Sequence, residues 1–511
     1  MARRMPLVIV DVGGDSDRVT ELLDGYDDVH RDGPDLAVHR VLLDTFDWRI
    51  RGAGGALSWS DGTLSWRDRA TGHIYAVPQD DLPRWPADVV TGAVHDRLAD
   101  ACDVRILLSR VEIDLAVRRY RMLDDLDKTV AWIDLERGSV DGGTPVASLV
   151  VRGVRGYDAE HARLLRRLTE DLDAPMVDAD PAEILYQAAG LEPGGYPGDH
   201  DVSLTPTMAA NEAVARTCRQ LLHTMRVNEA GVIADLDTEF LHDFRVAVRR
   251  TRSMLSASKC VLPDPVRDDF RRRFKWMGDI TTPVRDLDVF ILAIPDYARA
   301  VARGNPEVLV PLADMVAADQ QEAHAALSEA LLSQDYADLV RDWSEILETV
   351  PTDAETIEAR DPLVEVARRR IWTSYRVVRR DGRAIDAGSP SEMLHRLRKD
   401  AKELRYLLEA FGTLFDTART QMAVRELKML QDNLGAFQDA EVQSQGLREF
   451  AIRIARRPGG AYTVLALRIL AGHLEQLQHD ARSQFAKRFA RFDGSDNRAL
   501  YKGLFSPKAA R

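Results

Sequence analysis

The chain has 511 residues, 45% of them hydrophobic and 30% charged, with 69 Lys+Arg against 82 Asp+Glu and a formal net charge of -13. That length exceeds one ordinary hydrophobic core and that composition excludes a disordered chain, so two or three folded domains are expected. The acidic balance excludes a protein that coats nucleic acid with its whole surface, yet it leaves room for a local basic patch, which in an acidic protein focuses polyanions.

The first apolar run stops at Asp11 and is too short for a signal peptide. No run approaches the roughly 18 apolar residues of a membrane span. Cys102, Cys218 and Cys260 stand far apart without a CxxC pair, which reads as a reduced interior with neither a disulfide framework nor a zinc site. The expected compartment is the cytoplasm.

Residues 1–188 have the texture of an α+β domain. Apolar stretches at 7–12, 38–43, 104–108, 131–135 and 147–151 are separated by turns such as Asp61-Gly62 and Asp141-Gly142, with a helical piece at 159–172. Many short strands at near-regular spacing predict an antiparallel sheet or barrel. Glu112, Asp114, Arg118, Arg119 and Arg121 make a charged strand, read as a solvated face with cross-strand ion pairs, with an anion site as the alternative.

Leu43-Asp44-Thr45-Phe46-Asp47-Trp48-Arg49 with Gly54-Gly55-Ala56-Leu57, then 114–121, a turn at Glu136-Arg137-Gly138 and Arg152-Gly153-Val154-Arg155-Gly156-Tyr157, resemble the CYTH domain, the triphosphate tunnel fold. The resemblance covers about the first 175 residues and implies an antiparallel tunnel. Active members open with a Glu-x-Glu-x-Lys strand, where this chain has Val8-Ile9-Val10-Asp11-Val12. After Leu57 it has Ser58, Trp59 and Ser60 in place of inward-facing arginines. A metal-bound triphosphate needs several oxygen ligands and several cations, so a degenerate, non-catalytic tunnel is expected.

Residues 189–206 form a linker; from 190 onward it holds four Gly and three Pro. Beyond it, apolar residues recur every three or four positions, which predicts helices at 207–229, 238–259, 264–280, 285–303, 306–332, 334–349, 361–379, 391–412, 417–435, 438–456 and 461–491. Ser389-Pro390-Ser391-Glu392 reads as a helix start with Pro at the first helical position. The basic stretch 496–511 is set apart as a tail.

Two of these helices carry one pattern. His242, Arg245, Arg249 and Arg252 are spaced i, i+3, i+7, i+10, and so are His395, Arg398, Lys402 and Arg405. At about 100° per residue each set falls within an arc of roughly 80°, a cationic ridge about 15 Å long. Adding 153 to each position also takes Lys275 to Lys428, Arg285 to Gln438 and Asp286 to Asp439, so two halves, about 207–350 and 361–495, are built alike. Arg250, Arg272 and Lys399 flank the ridges, and 242–275 holds ten Lys/Arg against four Asp/Glu. Such spacing suits a long anion: arginine offers a fork of donors and lysine a mobile charge. The histidines read either as phosphate donors or as half-buried packing residues. Asp286 and Asp439 read as partners that orient neighbouring arginines or cap the helices they open.

The segment from His242 to Arg252, Arg285-Asp286-Leu287-Asp288, the counterparts His395 to Tyr406 and Leu427 to Asp439, with Leu430-Gln431-Asp432 and Gly435, resemble the CHAD domain, named for its histidines on an α-helical scaffold. The resemblance covers about 207–495. It implies two helical lobes around a basic surface or pore that binds inorganic polyphosphate. The contacts expected from the ridges, their flanks and the shared lysines are His242, Arg245, Arg249, Arg250, Arg252, Arg272, Lys275, His395, Arg398, Lys399, Lys402, Arg405 and Lys428. The expected function is polyphosphate binding without catalysis, cofactor or metal, at polyphosphate granules. The alternatives are a metal-dependent triphosphatase in the N-terminal domain, with the helices as a substrate trap, and a nucleic-acid binder. The scarcity of Phe, Tyr and Trp on the ridges disfavours the latter.

Overall fold

The computed structural model describes residues 8–11, 16–140, 143–172, 176–177, 181–196, 202–301, 306–350 and 356–507. The expected turn at Asp141-Gly142, Val12 of the opening strand, the centre of the linker and the last four residues of the basic tail lie outside them. The chain divides into two compact units, Met1–Gly198 and Asp199–Arg511.

The first unit is one sheet: β1 (Val8–Asp11), β2 (Val29–Arg31), β3 (Leu36–Asp44), β4 (Gly55–Ser60), β5 (Thr63–Asp68), β6 (Ile74–Pro78), β7 (Leu108–Leu123), β8 (Thr129–Val140), β9 (Thr144–Gly153) and β10 (Met176–Val177). Every neighbouring pair is antiparallel, in the order β10-β1-β9-β8-β7-β3-β4-β5-β6, with β2 also on the long β7. Its helices are α1 (Ser16–Asp24), α2 (Arg49–Gly52), α3 (Ala93–Cys102), α4 (Asp158–Leu172) and α5 (Pro181–Ala188). One sheet face is sealed by α1 and α4, where Leu23, Tyr120, Ile133, Leu164 and Leu168 are buried together.

Residues from β3 through β9 and from α5 line a single cavity of about 350 Å³, so the sheet curls around it. Ser58 and Ser60 do face this cavity, but the expected loss of cations is corrected: Arg40, Arg67, Arg119 and Arg152 reach it too. Each comes from a different strand, so no local pattern announces them. Arg40 forks onto Glu136 at 2.7 and 2.8 Å, Arg119 donates to Asp134 at 2.8 Å, and Arg152 pairs with the same Asp134. Elsewhere on the charged strand β7, Arg118 donates to Asp35 at 2.8 Å, and His39 lies 3.4 Å from Glu112 and 2.8 Å from Asp114.

Three further expectations for this unit are corrected. Glu136-Arg137-Gly138 is not a turn but part of β8, and Gly138 is there for close approach: a Cβ would stand 2.7 Å from the Asp114 carbonyl oxygen of β7. The apolar stretch at 104–108 precedes the ladder, which starts at Leu108. The front of the expected linker belongs to the folded unit, because Leu191 N–H donates to the Tyr186 carbonyl at 2.9 Å and Tyr196 packs edge-on to Phe46 at 5.5 Å.

The second unit consists of α6 (Ala210–Ile233), α7 (Thr238–Ala257), α8 (Asp264–Val301), α9 (Val310–Leu331), α10 (Gln334–Thr349), α11 (Leu363–Arg383), α12 (Ser391–Phe411), α13 (Thr417–Ile454), α14 (Ala461–Phe492) and α15 (Ser495–Phe505). In sequence order α6, α7, α8 and α9 pack each on the next and α10 returns to α6; α11 to α14 follow suit and α15 returns to α11. Among the described residues no helix is long and apolar enough to cross a membrane.

Two pairs of expected helices are single helices of 38 residues, α8 and α13. Pro283 has no N–H for the helical ladder, yet α8 runs through it. In the turn ahead, Thr281 Oγ1 donates to the Met277 carbonyl at 3.0 Å and Thr282 Oγ1 to the Gly278 carbonyl at 2.8 Å, bonds that add to the ladder without replacing the one to Asp279 that Pro283 lacks. In α13, Gly435 costs about 1 kcal/mol of helix propensity, and the buried stripe Leu427, Leu430, Leu434, Phe437 outweighs it. The basic tail is corrected as well. Residues 495–505 are α15, whose Tyr501, Leu504 and Phe505 are buried, with Tyr501 stacked on Tyr375 at 3.9 Å. Charge marked this segment as a tail, whereas its apolar i, i+3, i+4 spacing decides its fate. Pro390 is the N-cap of α12, one position before its expected place, with Ser389 Oγ engaged by Asp386.

Candidate anion-binding site

Both ridges form because α7 and α12 are amphipathic. On α7 the buried side holds Phe240, Phe244, Ala247, Val248 and Leu255; on α12 it holds Leu394, Leu397, Ala401, Leu404 and Leu408. The remaining arc of each helix carries the cations. Asp237 caps α7, accepting from Glu239 N–H at 2.9 Å and Phe240 N–H at 3.2 Å, which fixes the helix one turn before His242.

The two ridges meet. α7 lies against α12, and the guanidinium carbons of Arg249 and Arg405 stand 5.4 and 5.7 Å from the centre of one ring, Tyr406. Glu409 of α12 bridges the helices, with Arg250 Nη2 at 3.2 Å and Arg405 Nε at 3.0 Å. Each ridge also leans on the long helix that follows it. Arg245 Nη1 donates to Thr281 Oγ1 at 2.7 Å and Thr282 Oγ1 at 3.1 Å of α8, and Arg398 Nη1 donates to Asp439 Oδ1 at 2.9 Å and Gln438 Oε1 at 3.3 Å of α13. Arg252 crosses α8 at Gly278, where a Cβ would stand 2.9 Å from its Nη1.

The electrostatics are those of cations crowded without enough counter-charge. Burial pushes the Lys402 ammonium down to about 8, helped by Arg398, Arg249 and Arg405 and opposed by Asp439. Burial lowers Arg245 to about 10, with Arg249 and Arg285 adding to it and Asp286 and Asp288 opposing. His242 is held below the ordinary imidazole value, first by burial and then by Arg285. It is therefore neutral at neutral pH in the free protein. The Arg249 Nε is buried with no hydrogen-bond partner among the described residues.

The expected contacts divide into three groups. His242, Arg245, Arg249, Arg250, Lys402, Arg405 and Arg398 are tied to the meeting ridges by the distances and electrostatic couplings above. Arg252 closes one end over Gly278, and His395 Nε2 lies 2.5 Å from Glu441 Oε2. Lys275 is exposed and donates to Asp279 at 2.6 Å, on the α8 face that carries Thr282. Arg272 is exposed and paired with Asp269. Among the described residues no hydrogen bond or ion pair joins Arg272, Lys399 or Lys428 to the ridge cations, although Lys399 lies on α12 itself.

Asp286 and Asp439 open no helix, since both lie inside 38-residue helices, so the capping role is corrected. Thr281, Thr282, Tyr406, Glu409, Gln438 and Glu441 were missed. Glu409, four residues after Arg405, was legible as a helical ion pair; the others, Tyr406 apart, sit on α8 or α13, more than thirty residues from the ridge cations they meet. No group of three or more His, Cys, Asp or Glu side chains gathered to hold a metal ion occurs among the described residues.

Crowded cations cost stability. Lys402→Met keeps the apolar stem and removes the charge, so in anion-free buffer its thermal midpoint is expected to rise by a few degrees, on the order of 1–2 kcal/mol. The cost is fully present below about pH 8 and fades as pH rises toward the ordinary lysine value, because only the charged form suffers from burial. A lower midpoint on calorimetry at neutral pH would show Lys402 to be a structural cation.

Residues 216–448 match the sequence profile of the CHAD domain family. Among solved structures the chain is similar to the CHAD domain from the plant Ricinus communis, at 24% identity over 56% of this chain and 94% of that one, with a TM-score of 0.47. It is also similar to PptA from Streptomyces chartreusis, at 15% identity over 55% of this chain and 99% of that one, with a TM-score of 0.41. No curated protein matches the chain.

Proposed function

We propose that this chain, which carries a CHAD domain, binds inorganic polyphosphate along the meeting ridges of α7 and α12, as a binder and not as an enzyme. CHAD domains are a family associated with polyphosphate binding. The observation that supports the reading most directly is the surplus of half-buried cations at the junction. Among the described residues Arg245, Arg249 and Lys402 have no carboxylate within ion-pair distance, and the fields of their neighbours are visible in the lowered values of Arg245 and Lys402. An anion entering there relieves repulsion as well as making contacts, so a chain of phosphates is bound by many modest interactions summed along its length.

Nucleic acid fits less well. The aromatic ring at the junction, Tyr406, is 6% exposed and covered by guanidinium groups, so it offers no platform to a base. Hydrolysis in the N-terminal unit fits less well too, because the cavity carboxylates Asp134 and Glu136 are engaged by Arg119, Arg152 and Arg40. The setting that goes with this reading is a cytoplasmic polyphosphate granule.

The test is a titration of the full chain with long-chain polyphosphate at low and at high salt, with RNA as competitor. Affinity is expected to fall at least about tenfold with salt and to rise with polymer length, and excess RNA should displace the polymer only weakly. Equal affinity for short and long polymers at physiological salt would overturn it.

A further inference from the structure

The two ridges differ in what already occupies their cations. On the α12 side, Arg398 Nη1 meets Asp439 Oδ1 at 2.9 Å, and His395 Nε2 lies 2.5 Å from Glu441 Oε2. At the junction Glu409 takes both Arg250 and Arg405. On the α7 side, Arg245 faces the neutral hydroxyls of Thr281 and Thr282, and the Nε of Arg249 is buried without a partner among the described residues. The positions 153 residues before these three carboxylates explain the contrast. Glu409 answers to Ser256 and Asp439 to Asp286, whose carboxylate makes no ion pair among the described residues. Glu441 answers to Asp288, which is 2% exposed and bonded at 3.4 Å by Gln320, away from His242.

We propose that Glu409, Asp439 and Glu441 are built-in competitors that occupy phosphate positions on the second half of the track and so set a minimum length for its ligand. This rests on the polyphosphate reading above. A short oligophosphate finds its charge matched by the open cations Arg245, Arg249 and Lys402 and gains little by going further. A long polymer, once seated there, presents its next phosphates at high effective concentration to His395, Arg398 and Arg405 and displaces the carboxylates one at a time. The displaced groups have somewhere to go: the Asp439 side chain is 63% exposed and those of Glu409 and Glu441 are 32% and 28% exposed. Partly exposed ion pairs of this kind are individually weak, so a tethered phosphate outcompetes them whereas a free one does not.

Calorimetric titrations of the full chain with tripolyphosphate and with long-chain polyphosphate, in chelator-treated buffer, test the idea. The variants are Asp439→Asn/Glu441→Gln, Glu409→Gln and Asp439→Asn alone, which alters one exposed side chain and keeps its shape. The double variant and Glu409→Gln are each expected to tighten tripolyphosphate about tenfold and long-chain polyphosphate much less, so that the preference for length shrinks; Asp439→Asn alone gives the same change in smaller measure. Glu345→Gln/Glu348→Gln, which neutralises two exposed acids on α10, away from both ridges, is expected to leave that preference unchanged. An unchanged preference in all three track variants, or an equal shift in the off-track control, overturns the proposal while leaving the polyphosphate site standing. Failure of the unaltered chain to bind either ligand overturns the proposed function itself.

Discussion

Replacing four ridge cations together, as Arg245→Ala/Arg249→Ala/Arg398→Ala/Lys402→Ala, is expected to weaken binding of long-chain polyphosphate at least about a thousandfold. That is roughly 4 kcal/mol, or about 1 kcal/mol for each lost charged contact. The far-ultraviolet circular dichroism should not change. The cores of α7 and α12 are aliphatic and aromatic, and only Arg245 and Arg398 of the four make bonds to a following helix: Arg398 to the exposed Asp439, and Arg245 to the buried Thr281, whose hydroxyl keeps its own bond to the Met277 carbonyl when the guanidinium is gone. Arg249 and Lys402 contribute repulsion to the free protein, so their removal offsets what the lost bonds of Arg245 and Arg398 cost. Net charge changes as well, so a control is needed. Arg376→Ala/Arg456→Ala/Arg457→Ala removes three exposed arginines from other parts of the helical unit, and it should change affinity no more than about twofold. Retained affinity in the folded quadruple variant would mean that the ridges are structural, and would direct attention to the cavity of the N-terminal unit.

The ridges could be read from sequence because their signal is local and periodic. Three cations and a histidine at helical spacing, opposite a stripe of apolar residues, have one geometric meaning, and α7 and α12 realise it at Thr238–Ala257 and Ser391–Phe411. What the sequence withheld is everything set by contacts between distant segments. That Arg249 and Arg405 share Tyr406 depends on the packing of helices more than 130 residues apart, for which no spacing rule exists. The cavity arginines illustrate the same limit, since Arg40, Arg67, Arg119 and Arg152 are single residues on four strands and become a group only when the sheet curls. Breaker residues misled for a different reason. The expected helices stop short of Pro283 and at Gly435, but buried residues on both sides, Met277 and Val284 in α8 and Leu434 and Phe437 in α13, carry both helices through. Tertiary context overrides a local preference of about 1 kcal/mol at the glycine and about 3 kcal/mol at the proline. Tyr501, Leu504 and Phe505 show the converse: net charge suggested a tail, while three apolar residues on one face made a core helix.

The pH dependence of binding offers the second large effect, and it reports on single residues. Interior phosphates of a long polymer keep one negative charge each across the neutral and alkaline range, so the ligand itself contributes almost nothing. In the free protein Lys402 titrates at about 8; Arg398 and Arg405 face it from its own helix, Arg249 from α7 and Asp439 from α13. A bound phosphate favours the charged ammonium and raises that value. Below about pH 8 the lysine is charged in both states and adds no pH dependence. Between the free and bound values it is neutral when free and charged when bound, so affinity falls up to tenfold per pH unit as pH rises. His242 acts in the same direction at lower pH. Its free value is depressed by burial and by Arg285, and a bound phosphate raises it, so affinity climbs as pH falls below neutrality. The measured affinity should therefore decline in two limbs. Lys402→Arg should flatten the alkaline limb and His242→Gln the acidic one, each leaving the other in place. If affinity of the Lys402→Arg variant still fell with the same slope above pH 8, Lys402 would not be in contact with the polymer. The junction of α7 and α12 would then lose its central cation as the point where binding begins.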